Sequence, residues 1–331
     1  MAKDKDTLTK KYIGRPDVFA DAFNLLIYDG RQVIKPEELR DLDTTAIALP
    51  FGLEGAQAPV QGIRDVLKQW VIKRDDKAAY LLLGVENQSD IHYAMPARSM
   101  LYDALQYTAQ VEATAKAHKK ATGEDRPTSG EYLSGFYRSD QLIPVITLVI
   151  YFGAKRWDGP MSLREMFTVR DNAILKFAAD YRINLVAPEA LTERQADKLC
   201  SDLKEVMLFV KYSEDKDKLQ AIVEHDKGFQ SIARETAEVI KAVTGTEIRI
   251  NAGEESINMC KAIQDIRLEG LMEGRMEGRR EGIEQGVEET VLMTVNILRS
   301  LGMTDEDIVD KIVENSSISE EEAERYVYGA E

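Results

Sequence analysis

Residues 144–152 read PVITLVIYF, a continuous run of apolar and β-branched side chains. A strand of this kind has to be covered on both faces, which marks it as the centre of a sheet with helices on either side. The apolar stretch around it, residues 142–154, holds 13 residues, against the roughly 20 that a membrane-spanning helix needs. Asp158-Gly159-Pro160 closes the strand with a turn.

Helices and further strands are legible on both sides of this run. Residues 17–28 (DVFADAFNLLIY) place Val18, Phe19, Phe23, Leu26 and Ile27 at helical spacing, after Pro16 and before Asp29-Gly30. Residues 45–50 read as a short strand. Residues 64–73 (RDVLKQWVIK) and 78–88 (AAYLLLGVENQ) are strand formers joined by a polar turn, which predicts a hairpin. A long helix is expected over 95–120 with Pro96 in its first turn. Another is expected over 163–181, followed by a strand at 183–186. Thr192 and Gln195 form a capping-box pattern ahead of a helix reaching about Lys211.

The hairpin brings chemistry together. With its turn centred between Asp75 and Asp76, residue numbers of opposed positions share one sum, and Asp65 faces Glu86. Opposed side chains point to one side of a sheet with Cβ atoms about 4.5–5.5 Å apart. Gln88, two residues on, emerges on the same face as Glu86. Opposed like charges destabilise a ladder, so the pair calls for a cation, and two carboxylates with waters or a phosphate are what Mg²⁺ takes. The plain alternative is a pair of solvated strand-end acids. On the following helix Arg98 and Tyr102 are four residues apart and share a face. An arginine there suits a phosphate, which it grips bidentately; the alternative is an ordinary ion pair beside a half-buried tyrosine.

RDVL at 64–67 and LGVENQSDIHYAMPARSMLY at 83–102 resemble the signature of the recombination-promoting nuclease/putative transposase family of bacteria, within the PD-(D/E)XK phosphodiesterase superfamily. The resemblance covers roughly residues 10–190, including FADAFN at 19–24 and the strand and turn at 144–160. It implies a restriction-endonuclease-like α/β fold, a mixed sheet flanked by helices. It also implies divalent-metal-dependent hydrolysis of DNA linked to recombination or mobile elements. By position, Asp65 and Glu86 match the metal-binding acids, and Arg98 and Tyr102 match the family's arginine and tyrosine helix. Gln88 stands where many members have lysine, so the site lacks an ammonium beside the reacting phosphate. Asp21, near the family's opening acid but at a different spacing, and His92, in the loop after the hairpin, are the accessory candidates.

Charge divides the chain. Net charge is −15, yet residues 251–331 carry 20 Asp/Glu against 8 Lys/Arg, so residues 1–250 are close to neutral. The first part tolerates a phosphate partner and the acidic tail repels one. The expected division is a nuclease domain with appended helices over 1–250 and an all-helical interaction tail over 251–331. In the tail, glycines recur every fourth residue from Gly270 to Gly286. Glycine weakens a helix by about 1 kcal/mol each relative to alanine, so this segment reads either as a soft connector or as a self-association helix. Thr304 and Ser319 are N-caps for two short helices. Cys200 and Cys260 stand far apart without a Cys-x-x-Cys pair and offer neither a zinc site nor a disulfide framework. The opening residues lack the apolar centre of a signal peptide, so a soluble cytoplasmic protein without a membrane partner is expected.

The expectation is therefore a Mg²⁺-dependent DNA endonuclease, homo-oligomeric through its tail. The rival is a catalytically inactive nuclease-fold module that binds DNA or protein and oligomerises through the same tail. Gln88 favours the rival and the Asp65/Glu86 pair opposes it.

Overall fold

The computed structural model of the chain describes residues 2–42, 45–48, 60–63, 66–74, 77–88, 90–120, 127–316 and 318–329; for 2–4, 45–48, 60–63, 71–74 and 77–87 it describes the backbone. The chain forms two compact units, Met1–Ile263 and Gln264–Glu331. The division falls inside the tail that charge marks out from residue 251.

The first unit opens with α1 (Ala2–Gly14) and α2 (Pro16–Tyr28), then β1 (Leu39–Asp41), β2 (Thr45–Ala48) and β3 (Val60–Ile63). The hairpin is β4 (Val66–Arg74) and β5 (Lys77–Gln88), and α3 (Met95–Lys120) follows with α4 (Ser129–Ser134). Next come β6 (Val145–Tyr151), the single turns α5 (Leu163–Met166) and α6 (Asn172–Leu175), and β7 (Asn184–Val186). The unit continues with α7 (Glu193–Ala196), α8 (Leu203–Tyr212), α9 (Lys216–His225), β8 (Ile232–Ala233), α10 (Arg234–Thr244) and β9 (Ser256–Ile257). Helices thus hold most of the regular structure.

Five strands make one mixed sheet in the order β1-β4-β5-β6-β7. β1, β4 and β5 are antiparallel neighbours, whereas β5, β6 and β7 run parallel. The apolar run at 144–152 is the strand β6, and both its faces are covered as expected. Leu148, Ile150 and Phe152 enter the main core with Phe19 and Phe23 of α2 and Phe209 of α8. Val149 and Tyr151 face the other way, onto Met95 of α3, Trp157 and Ile183. Burying each such side chain contributes about 1.5–3 kcal/mol, and two-sided burial explains why the strand lacks alternation. Gly153 follows because the Tyr151 ring folds back over it: a Cβ there would lie 2.0 Å from the phenol oxygen.

Several elements depart from the sequence pattern. The helix expected over 163–181 is reduced to α5 and α6, because Asp171 accepts the Ala173 N–H (2.8 Å) and starts a new turn. The helix expected from 192 to 211 is broken. Its Thr192–Gln195 capping box is present on α7, but the Cys200 and Ser201 N–H groups donate to Asp21 (2.8 Å each) instead of to a helical ladder. α1, β1 and β3 carry too few apolar positions to be read; α1 buries Thr9, Tyr12 and Ile13.

A buried acid in α8 gives a pH-dependent prediction. Glu205 is buried with its carboxyl against Gly228, where a Cβ would come within 1.8 Å of Oε1. Burial pushes its pKa above the ordinary carboxylate value, and nearby Asp226 adds to the shift. The native state therefore holds the proton more tightly than the unfolded chain, so this contribution is full in acid and is lost as pH rises through the native pKa. Glu205→Gln is expected to stabilise the protein at pH 7 by on the order of 1 kcal/mol, with little gain at pH 4, as read by urea unfolding at both. A glutamine variant less stable than wild type at pH 7 contradicts this.

The second unit takes most of α11 (Met259–Ser300), with α12 (Asp305–Asn315) and α13 (Glu320–Tyr328). All five repeat glycines lie inside the continuous helix α11. Val291 and Val295 pack on Ile308, Val309 and Ile312 of α12 and on Ala323 and Val327 of α13. Thr304 and Ser319 cap the short helices through the Asp307 and Glu322 N–H groups (3.3 Å each). Among the described residues, no helix is long and apolar enough to cross a membrane.

Candidate functional site

The β4–β5 ladder runs from Val66↔Val85 to Arg74↔Lys77 with the register that the sequence predicts. Asp65 lies outside the described residues, so its position relative to Glu86 is not part of this geometry. Glu86 is in β5 with Val149 of β6 as its Cα partner, and Gln88, two residues on, has Tyr151. Gln88 is buried, and its carbonyl accepts the Phe152 N–H (2.8 Å), which carries the β5–β6 pairing to the end of the strand.

Helix α3 begins where the His92 carbonyl accepts the Met95 N–H (3.0 Å). His92 itself is half-buried, and its Nδ1 is a buried atom without a hydrogen-bond partner among the described residues. Along α3, the expected Arg98–Tyr102 pair is formed. Arg98 donates Nε–H to the Tyr102 hydroxyl (3.2 Å), and the guanidinium lies 5.5 Å from the ring centroid. One helical turn thus presents an arginine whose orientation is set by the tyrosine four residues on.

Next to this pair lies a polar group that sequence reasoning did not single out. Asp103 is buried in α3 and accepts from the Thr147 hydroxyl of β6 (2.6 Å) and the Tyr181 hydroxyl (2.6 Å). Thr147 stands two residues before the Cα partner of Glu86, and its own carbonyl accepts from Asn184 Nδ2 of β7 (2.9 Å). A charged acceptor tying helix, sheet and loop together in this way holds α3 in a fixed position beside the ends of β5 and β6. The available signal was Thr147, a small polar residue in the middle of an apolar strand.

Asp21 is placed elsewhere. It is buried in α2 with Oδ2 accepting the Cys200 and Ser201 N–H groups and the Ser201 hydroxyl (2.7 Å), while Oδ1 accepts from Gln32 (3.1 Å). These bonds make it an anchor for the turn before α8. Lys68 lies on the neighbouring strand β4. Its buried ammonium pairs with Asp41 and lies 5.5 Å from the Phe19 ring, on the α2 side of the sheet. Among the described residues, no three His, Cys, Asp or Glu side chains are grouped closely enough to hold a metal ion.

A cavity of about 300 Å³ opens past the ends of β5 and β6, lined in part by Asp90, Tyr151, Lys155, Glu214 and Lys5. Burial, with the charges of Asp90 and Asp158, pushes the Tyr151 phenol above its ordinary pKa. Comparison with known proteins returned no matching family model, no matching curated protein and no matching solved structure.

Proposed function

We propose that the first unit is a divalent-metal-dependent DNA endonuclease of the restriction-endonuclease-like class, similar to the recombination-promoting nuclease/putative transposase family. The observation that carries this reading is the β4–β5 ladder. Its register is the one from which the Asp65–Glu86 opposition follows, and it holds from Arg74↔Lys77 to Val66↔Val85. The strand directions lend further support, with the antiparallel strands β1, β4 and β5 followed, after α3, by the parallel strand β6.

The donor set suits Mg²⁺. Asp65, Glu86 and the Asn87 carbonyl are hard oxygen donors, the ligand type this ion takes. Bound there, the metal would supply an activated water and polarise a phosphoryl oxygen. Gln88 positions the attacking water by hydrogen bonding. Arg98, oriented by Tyr102, neutralises the phosphate, and Asp103 keeps their helix in place. Phosphate contacts of this sort position DNA and carry no base sequence.

The tail supplies self-association in this reading. Leu268, Met272, Met276, Ile283 and Val287 are exposed along α11. With Arg279 between them, their spacing reads the same in both directions, so an antiparallel second copy lays Leu268 on Val287 and Met272 on Ile283. The rival reading, a fold that binds without cutting, is favoured by Gln88.

Incubation of the purified protein with supercoiled plasmid tests the proposal. Nicked or linear product is expected with Mg²⁺ and none with EDTA. Plasmid left intact with Mg²⁺ and with Mn²⁺, on single- and double-stranded DNA alike, overturns the enzyme reading.

A further inference from the structure

The chain between β6 and β7 leaves the sheet in an excursion that the proposed chemistry does not use. Its neck is closed by the Ser162↔Arg182 bridge, with the Leu163 N–H donating to the Tyr181 carbonyl and the Ile183 N–H to the Met161 carbonyl (3.0 Å each). Tyr181 at this neck is the residue that bonds Asp103 (2.6 Å), immediately after Tyr102 in α3. The excursion is therefore hung on the same helix that carries Arg98.

Its outer part joins cations to an exposed aromatic ring. Phe177 is 84% exposed, with the Lys176 ammonium 5.1 Å from its ring centroid. Ile174, 55% exposed, and Val169 are its apolar neighbours in sequence. Arg164 donates to the Leu175 carbonyl (3.5 Å), and Arg170 donates to the Arg164 and Glu165 carbonyls (3.1 and 3.3 Å). These bonds link Arg170, Arg164 and the 175–177 corner into one group. Both guanidiniums are held by backbone carbonyls, so their charge is oriented without being neutralised by a carboxylate in those bonds.

The acids of the same excursion are engaged locally. Glu165 accepts the Met161 N–H (2.9 Å), Asp171 caps α6, Asp180 accepts the Arg164 N–H (3.0 Å) and Asp158 accepts from Tyr93 (3.0 Å). In a protein of net charge −15, an exposed group of two arginines, a lysine and an uncovered phenylalanine is the feature suited to an anionic polymer with flat apolar rings.

We propose that this excursion is a DNA-strand platform, with an unstacked base on Phe177 and the flanking phosphates on Arg164, Arg170 and Lys176. The proposal rests on the nuclease reading for its choice of nucleic acid and deepens it by naming a single-stranded segment as the partner beside the site. Aromatic rings hold bases without regard to sequence, and cations beside them follow the backbone. A lipid surface or a second copy of the chain would use the apolar part of the same group but does not need two arginines oriented by backbone carbonyls.

The test is fluorescence anisotropy with a labelled single-stranded oligonucleotide, performed on the full chain in EDTA so that no cutting is involved. Phe177→Ala is expected to weaken binding about tenfold while leaving the melting temperature unchanged, since the ring is exposed. Arg164→Gln with Arg170→Gln is expected to flatten the dependence of log affinity on log salt by about 0.7 for each phosphate contact removed. Equal affinity of Phe177→Ala and wild type, or no binding of the oligonucleotide by wild type at low salt, overturns the proposal. So does Phe177→Ala binding DNA normally while losing attachment to anionic vesicles, or changing its sedimentation. Binding as expected by a protein that cuts nothing with Mg²⁺ leaves the platform standing and removes only the nuclease reading.

Discussion

Asp202→Ala is expected to destabilise the first unit by about 3 kcal/mol. Asp202 stands just before α8 and gathers three donors, one each from α1, from the link between α1 and α2, and from α10. Oδ1 accepts from the Tyr12 hydroxyl of α1 (2.9 Å), while Oδ2 accepts from Arg15 Nη1 (3.1 Å) and from the Thr236 hydroxyl of α10. Tyr12 is fully buried, and burial followed by the Asp202 charge pushes its phenol well above the ordinary pKa. Removing the carboxylate leaves a buried hydroxyl and a largely buried guanidinium without this acceptor, and such groups lose more than the bond itself was worth. Arg15 keeps Asp17 (2.5 Å), which limits the loss. Asp202→Asn, retaining one acceptor oxygen, should lose about half as much. Urea unfolding at pH 7 measures both, and a loss below about 1 kcal/mol for the alanine variant contradicts the assigned role.

The second large effect concerns the chemistry. Asp65→Ala and Glu86→Ala are each expected to lower Mg²⁺-dependent plasmid cleavage at least about a thousandfold, equivalent to roughly 4 kcal/mol of transition-state stabilisation. Both variants should keep the wild-type melting temperature in EDTA, because two opposed carboxylates without a cation do not favour the ladder. Single-turnover cleavage of a supercoiled plasmid is the measurement. Cleavage unchanged in both variants would trace the activity to another protein in the preparation.

What could be read in advance was local. The strand at 144–152 is recognisable because two-sided burial imposes one kind of side chain along its length. The hairpin register follows from the symmetry of its turn, and α3 (Met95–Lys120) has the bounds that its pattern predicts. Caps at Thr304 and Ser319 are legible because the bond lies within a few residues of the cap. Long-range bonds are a different matter. Asp21 breaks the helix expected through residue 200 from 179 positions away, and no local signal near 197–202 announces that break. Asp202 bonds Tyr12 across 190 positions and Asp103 bonds Tyr181 across 78, so neither acid differs in its local sequence from a solvated one. At the candidate site the Arg98–Tyr102 pair was legible from its helical spacing. The Asp103 group that ties their helix to the sheet was not. The glycine repeat shows the converse, since intrinsic propensity argues against a helix there, yet α11 runs through all five glycines.

Metal binding to the Asp65–Glu86 pair is the claim on which the functional account turns, and thermal unfolding with and without Mg²⁺ measures it directly. A ligand that binds only the native state stabilises it, and with a dissociation constant of about 1 mM, 10 mM Mg²⁺ adds roughly 1.4 kcal/mol. Wild type should gain this much. Asp65→Asn should be as stable as wild type or more stable without metal, by about 0.5–1 kcal/mol on cross-strand pair magnitudes, and should gain much less from Mg²⁺. Equal stabilisation of both proteins by Mg²⁺, or an Asp65→Asn protein markedly less stable than wild type without metal, would mean that Asp65 serves the fold and not the cation.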